Sequence, residues 1–176
     1  MSKVLIVVDM QNDFVHGVLS TPEAKSIIPN VEAKLRQYYE SDSPIVFTMD
    51  THDTSYLESL EGKHLPVEHC IYGCDGWKII PEFQGYANMA DKVLKKYSFA
   101  YDDWDYEFKN GRSIESFEFV GVCTDICVIS NVLALKAHYP DIPIIVDASC
   151  CAGSTPENHC MALRIMKSCQ IDIVNE

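Results

Sequence analysis

The segment GVCTDICV, residues 121–128, sets two thiols four residues apart at the end of an apolar run, SFEFVGV, residues 116–122. Such a seam could hold a metal, oxidise to a disulfide or carry a nucleophile, and the choice depends on what lies beside it. Three other apolar runs also end in groups that do chemistry: KVLIVVD (3–9) at Asp9, PIVFTMD (44–50) at Asp50 with His52 just beyond, and KVLKK (92–96) at Lys96. A carboxylate can take a thiol proton and return it to a leaving group, and a nearby ammonium favours the thiolate. Cys127 falls in the first turn of a helix expected to start near Thr124 or Asp125, both good N-cap residues. The positive end of that helix would lower the thiol pKa. The backbone amides of Cys123 and Cys127 could form an oxyanion hole.

These residues need a scaffold that brings the four run ends together. PIIVDA (143–148) and IDIV (171–174) complete a set of six β-rich runs. Between runs lie VEAKLRQYYES (31–41), DICVISNVLALKAHY (125–139) and PENHCMALRIMKSC (156–169), whose apolar residues recur at spacings of three and four, as on the buried stripe of a helix. Near-continuous Val, Ile, Leu and Phe marks strands buried on both faces, and helices of crossover length between them predict an α/β fold. The expected form is a doubly wound, mostly parallel six-stranded sheet with helices on both faces. In such sheets ligands bind beyond the carboxyl ends of the strands, where all four groups fall. Residues 51–80 read as one long polar loop, too irregular for an element and of a length that is usually functional.

A length of 176 residues suits one domain, spanning 1–176. A net charge of −12 repels nucleic acid and anionic membrane surfaces, which leaves a small molecule as the expected partner. VLIVV (4–8) is far shorter than the roughly 18 residues that cross a bilayer, and the N-terminal residues read as no signal peptide. A cytoplasmic protein is expected, whose eight cysteines are free, metal-bound or catalytic.

The motifs VVDMQNDF (7–14), FTMDTHD (47–53), EGKHLPVEHC (61–70), VLKKYSF (93–99) and GVCTDICV (121–128) together resemble the isochorismatase-like cysteine hydrolases, whose best-described members are nicotinamidases. The resemblance spans nearly the whole chain. It implies a catalytic aspartate at Asp9, a lysine at Lys96 and a nucleophile at Cys127, with a cis peptide bond before Cys123 shaping the oxyanion pocket. Lys96 precedes Phe99 by three residues, as the family's lysine precedes an aromatic, so Lys95 ranks second. The family's metal site falls on Asp50 and His52, with Glu61 as third ligand and His69 as fourth, although His64 and Glu68 stand close enough to compete. Mixed nitrogen and oxygen donors suit a divalent metal, zinc first, with manganese or iron as alternatives. Phe14, five residues after the aspartate, falls where the family places a pocket wall. The resemblance further implies a homo-oligomer.

The activity so implied is cleavage of a small carboxamide through a thioester, with ammonia released. Two alternatives stand beside it. An isochorismatase-type vinyl ether hydrolase needs no nucleophilic thiol, and a non-catalytic metal- or ligand-binding relative would keep only the scaffold. Plainer readings exist for several residues. Cys123 reads as a small core residue, and CTDIC has one residue too many for a thioredoxin-like pair. Cys70 and Cys74 lack a second pair at zinc-finger spacing, and Cys150, Cys151, Cys160 and Cys169 read as packing. His138 and His159 sit where neither could form a dyad with Cys127, which leaves the base role to Asp9.

Overall fold

The computed structural model describes residues 2–108 and 114–176. Six strands, β1 (Ser2–Val8), β2 (Ile45–Asp50), β3 (Lys92–Lys96), β4 (Ile114–Val122), β5 (Ile144–Ala152) and β6 (Asp172–Val174), form one sheet in the order β3-β2-β1-β4-β5-β6. Every pairing is parallel, so the expected mostly parallel sheet is entirely so. The order reverses at β1, which lies between β2 and β4.

Helices α1 (Asn12–Val15), α2 (Pro22–Ser26), α3 (Ile28–Glu40), α4 (Leu60–His64), α5 (Gln84–Met89), α6 (Trp104–Phe108), α7 (Ile129–His138) and α8 (Pro156–Ser168) lie around the sheet. Alternation along β1 divides the core between its faces. Leu5 and Val7 pack with Val31, Leu35 and Tyr38 of α3, whereas Val4, Ile6 and Val8 pack with Val132 and Leu135 of α7 and Met166 of α8. Both faces are therefore covered, and a strand buried on both sides has no polar position to alternate. The i, i+4, i+7 spacing of Val31, Leu35 and Tyr38 is what turns one stripe of α3 inward.

Three local features differ from the sequence expectation. β5 continues to Ala152 rather than stopping at Ala148, past a register shift against β4 between Phe119 and Gly121. Ser149 bonds Asp147 Oδ1 through both its amide (3.1 Å) and hydroxyl (2.7 Å), so the polar pair is satisfied inside the strand. The 51–80 segment is not wholly irregular, since it holds a 3₁₀ turn at Tyr56–Glu58 and α4. Bridges from His52 to Ile71 and from Gln11 to Ile79 pin it to the sheet rim. Cys160 is exposed rather than packed.

Two buried acids in the sheet, Glu118 of β4 and Asp147 of β5, share Lys34 of α3 at 2.6 and 2.8 Å. The Tyr38 hydroxyl donates to the other Glu118 oxygen at 2.6 Å. Shared donors of this kind are what allow carboxylates inside a core.

Candidate active site

The expected convergence is seen: Asp9, Asp50, Lys96 and Cys127 meet at the carboxyl ends of β1, β2, β3 and β4. At that rim β1 and β4 approach so closely that a Cβ on Gly121 would stand 2.1 Å from the Val8 carbonyl oxygen, and Gly121 has φ +116°. Only glycine fits. Asp9 follows β1 in the left-handed region (φ 49°), which aspartate tolerates better than most residues. The Thr48 hydroxyl donates to its Oδ1 at 2.7 Å.

Lys96 stands opposite Asp50 in the β2–β3 register. Its ammonium is 2.8 Å from Asp9 Oδ2, 3.0 Å from Asp50 Oδ1, 3.1 Å from the Ser98 carbonyl and 3.4 Å from Cys127 Sγ. The approach to Asp9 Oδ2 is a charge contact rather than an aligned hydrogen bond. Lys96 is 1 % exposed and Asp9 0 %. Lys95, the second-ranked lysine, instead lies exposed over the Tyr72 ring, 4.5 Å from its centroid.

Burial sets the protonation states. It raises Asp9 above the usual carboxylate range, and Lys96 offsets this only in part. It also opposes the charge on Lys96, but the carboxylates of Asp9 and Asp50 outweigh it and hold the ammonium protonated. Burial pushes the Cys127 thiol well up despite the pull of Lys96, and the carboxylates of Asp9 and Asp50 add to the rise. The expected lowering of the thiol pKa is thus reversed: the resting group is a buried thiol beside the Lys96 ammonium.

The turn that carries Cys127 also departs from expectation. Residues Thr124–Val128 form a π-helical turn ahead of α7, capped by Cys123 without a side-chain bond. Thr124 and Asp125 do not cap it because both are engaged elsewhere. The Thr124 hydroxyl meets His159 Nδ1 at 2.8 Å, and Asp125 accepts from the Ser154 amide (2.7 Å) and hydroxyl (2.5 Å). Turns of this type recur at functional sites. The Val122–Cys123 peptide bond is cis.

The four metal candidates also come together. Ligand atoms of Asp50, His52, Glu61 and His69 all lie within 4.8 Å of one another. His52 Nε2 is 3.0 Å from Asp50 Oδ2 and 3.7 Å from Glu61 Oε1, and His69 Nε2 is 3.7 and 3.9 Å from the same two oxygens. Bonds of 2.0–2.1 Å at tetrahedral angles would set donors about 3.3 Å apart, so this donor set suits a divalent ion, around which its widest pairs would draw closer by about 1.5 Å. His69 Nδ1 lies 2.8 Å from the Val67 carbonyl, which can only accept, so Nδ1 bears the proton and Nε2 the free lone pair. Burial works against charge on His52, yet the Asp50 carboxylate outweighs it and raises its pKa. His64 and Glu68 are not among the clustered residues. Phe14 packs edge-on to His69, ring centroids 5.6 Å apart, and Tyr56 touches both histidines at 4.6 and 4.9 Å.

Two residues of the site escape sequence reasoning. Gln11, fully buried, donates from Nε2 to the carbonyls of Asp50 (2.9 Å) and Trp77 (2.8 Å) and accepts the Asp50 amide at 2.7 Å. Asn131 on α7 donates to the carbonyls of Cys127 (2.7 Å) and Phe99 (3.0 Å) and accepts the Tyr101 amide at 2.8 Å. Gln11 lies between Asp9 and Phe14 and could have been singled out there. Asn131 at an otherwise apolar stripe of its helix was the only signal for the second.

An all-parallel α/β sheet with Cys, Asp and Lys at one rim and a mixed His/carboxylate cluster beside them defines the class. Residues 3–175 match the isochorismatase domain, and the chain belongs to that family. It is 30% identical over 174 residues to the isochorismatase family protein PncA of Bacillus subtilis (strain 168), covering 93% of each chain. It is 26% identical over 209 residues to a nicotinamidase of Schizosaccharomyces pombe, covering 98% of this chain and 92% of that one. A third relative, 26% identical over 173 residues, is a probable inactive nicotinamidase of Arabidopsis thaliana, with 93% and 87% covered. Among solved structures, the nicotinamidase/pyrazinamidase PncA of Bacillus subtilis superposes with a TM-score of 0.82 at 25% identity over 99% of this chain and 100% of that one. Pyrazinamidase of Pyrococcus horikoshii in complex with zinc shares the fold, with a TM-score of 0.81, 24% identity and 100% of each chain covered. No helix among the described residues is long and apolar enough to cross a membrane.

Proposed function

We propose that the protein is a cysteine amidohydrolase that cleaves a small carboxamide, of the nicotinamide kind, to the acid and ammonia. The observation that carries this reading is the buried contact of Cys127, Lys96 and Asp9, with Sγ 3.4 Å and Asp9 Oδ2 2.8 Å from one ammonium. Asp9, whose pKa burial raises, takes the thiol proton as Sγ attacks the amide carbon. The amides of Cys123 and Cys127 steady the oxyanion. Asp9 then returns the proton to the leaving nitrogen, and ammonia departs from a thioester. A water molecule, deprotonated by Asp9, hydrolyses the thioester and frees the thiol. Lys96 stays charged throughout and offsets whichever of Asp9 and Cys127 is anionic.

Asp50, His52, Glu61 and His69 would hold a divalent metal, zinc by their mixed donors, and the ion would supply a Lewis-acidic anchor that orients the substrate. Phe14, edge-on to His69, would wall the pocket. The same reading has the enzyme working in the cytoplasm as a homo-oligomer, with exposed apolar side chains such as Leu60 and Tyr97 as contact material.

The test is ammonia release from nicotinamide and a panel of small carboxamides. Cys127→Ala should lower turnover at least about a thousandfold with the fold retained. Undiminished turnover by that variant would remove Cys127 as nucleophile.

A further inference from the structure

The metal reading leaves one question open: what holds His69, a ligand carried by an irregular loop, to its place. Its ring is oriented through Nδ1 by the Val67 carbonyl, but the backbone on its other side is unusual. Cys70 has φ +47°, a left-handed conformation that residues with a side chain seldom adopt. The amide of Cys70 donates at 2.8 Å to Oδ2 of Asp13, 57 positions earlier in the chain. Asp13 sits on α1, directly before Phe14, and its own amide donates back to the Gly76 carbonyl at 3.0 Å. Its carboxylate fills the space over two glycines: a Cβ on Gly76 would stand 2.0 Å from Oδ2, and one on Gly17 would stand 2.6 Å from Oδ1. Two bonds in opposite directions thus clamp the loop that follows His69 onto α1.

We propose that Asp13 is a positioning residue for His69, acting through the Cys70 amide, so that a hydrogen-bond acceptor outside the ligand set governs the metal affinity of the site. The inference rests on the metal reading above. Asp13 touches no reacting atom and none of the four ligand side chains. Its effect runs through one backbone bond that presents the His69 imidazole, and Phe14 braces the same ring from the next position. Partners that orient ligands in this way typically change metal affinity by about 10–100-fold when removed.

The experiment is zinc titration of the metal-stripped full chain against a chromophoric chelator, with folding followed by circular dichroism. Asp13→Ala should weaken zinc binding by about 10–100-fold. Asp13→Asn, whose amide oxygen still accepts from Cys70, should bind as the wild type does. Gly76→Ala keeps the carboxylate but displaces it, so it should weaken binding as Asp13→Ala does, and it decides the matter if that variant does not fold. Wild-type affinity in both Asp13→Ala and Gly76→Ala, or a loss in Asp13→Asn equal to that in Asp13→Ala, overturns the assignment. A wild-type chain that takes up no zinc overturns the metal reading, and this inference with it.

Discussion

Replacing Lys96 by methionine tests the centre of the site through stability, independently of any substrate. The ammonium is 1 % exposed and lies 2.8 and 3.0 Å from two carboxylates. Methionine fills much the same volume, so the cavity term is small and the loss is electrostatic. Removing one partner of a buried ion pair costs about 3–5 kcal/mol, because the remaining charge is left without compensation. Asp50 keeps His52 as a partner at 3.0 Å, whereas Asp9 keeps only the Thr48 hydroxyl on Oδ1, and its Oδ2 is left without a hydrogen bond. The cost should therefore fall mainly on Asp9. In a chain of this size it corresponds to a drop in Tm of roughly 6–20 °C. Adding Asp9→Asn removes the stranded charge and should restore about 1–3 kcal/mol of the deficit. Burial already raises Asp9, and without Lys96 it would rise further. The folded variant then holds a proton that the unfolded chain has lost, so its deficit should shrink as pH falls toward the unfolded carboxylate value, about 3.9. Urea unfolding with linear extrapolation measures all three quantities. A Lys96→Met chain within about 1 kcal/mol of wild type, or a double variant no more stable than the single, would refute the argument that Lys96 compensates Asp9.

Other expectations follow from the same distances. Burial acts to raise Asp147, but Lys34 and Ser149 outweigh it and hold its pKa down; its contribution to stability is full above the unfolded carboxylate value and is lost as pH falls through the lower folded one. Asp147→Asn should accordingly flatten the loss of stability below about pH 4, as read by melting temperature against pH. Gly121→Ala should give no folded protein by circular dichroism, since its Cβ meets the Val8 carbonyl oxygen at 2.1 Å. Asn131→Ala strands the carbonyls of Cys127 and Phe99 and the amide of Tyr101, so it should cost at least about 1–3 kcal/mol in urea unfolding and slow ammonia release. Stability equal to wild type would show that those groups find other partners.

All six strands and the three long helices were legible, because strands buried on both faces and helices with one inward stripe leave strong periodic marks. Asp9, Asp50, Lys96 and Cys127 were legible for a related reason: each stands where such a run ends, and run ends are where a parallel sheet exposes functional groups. The capping of the Cys127 turn was not. Thr124 and Asp125 carry the right side chains for a cap, but His159 and Ser154, about 30 positions later, bind them first, and local rules do not register a distant competitor. The raised thiol pKa is hidden from the sequence for a similar reason: the helix-end effect is local, whereas desolvation depends on everything packed around Cys127. Gln11 and Asn131 act by tying backbone segments together, a role with no spacing pattern of its own.

The position of β1 bears on how the chain is made as well as on what it does. The central strand is the first to be synthesised, and its longest pairing is with β4, where Val8 meets Gly121 across 113 positions. Until that partner leaves the ribosome, one edge of an almost wholly apolar strand stays open, an arrangement that slows folding and invites wrong pairing. Asp9 and Cys127 become neighbours only when this last central pairing closes. The Asp9–Lys96–Cys127 cluster is thus assembled late, at the step that also seals the middle of the sheet, and truncated or stalled chains are left without it.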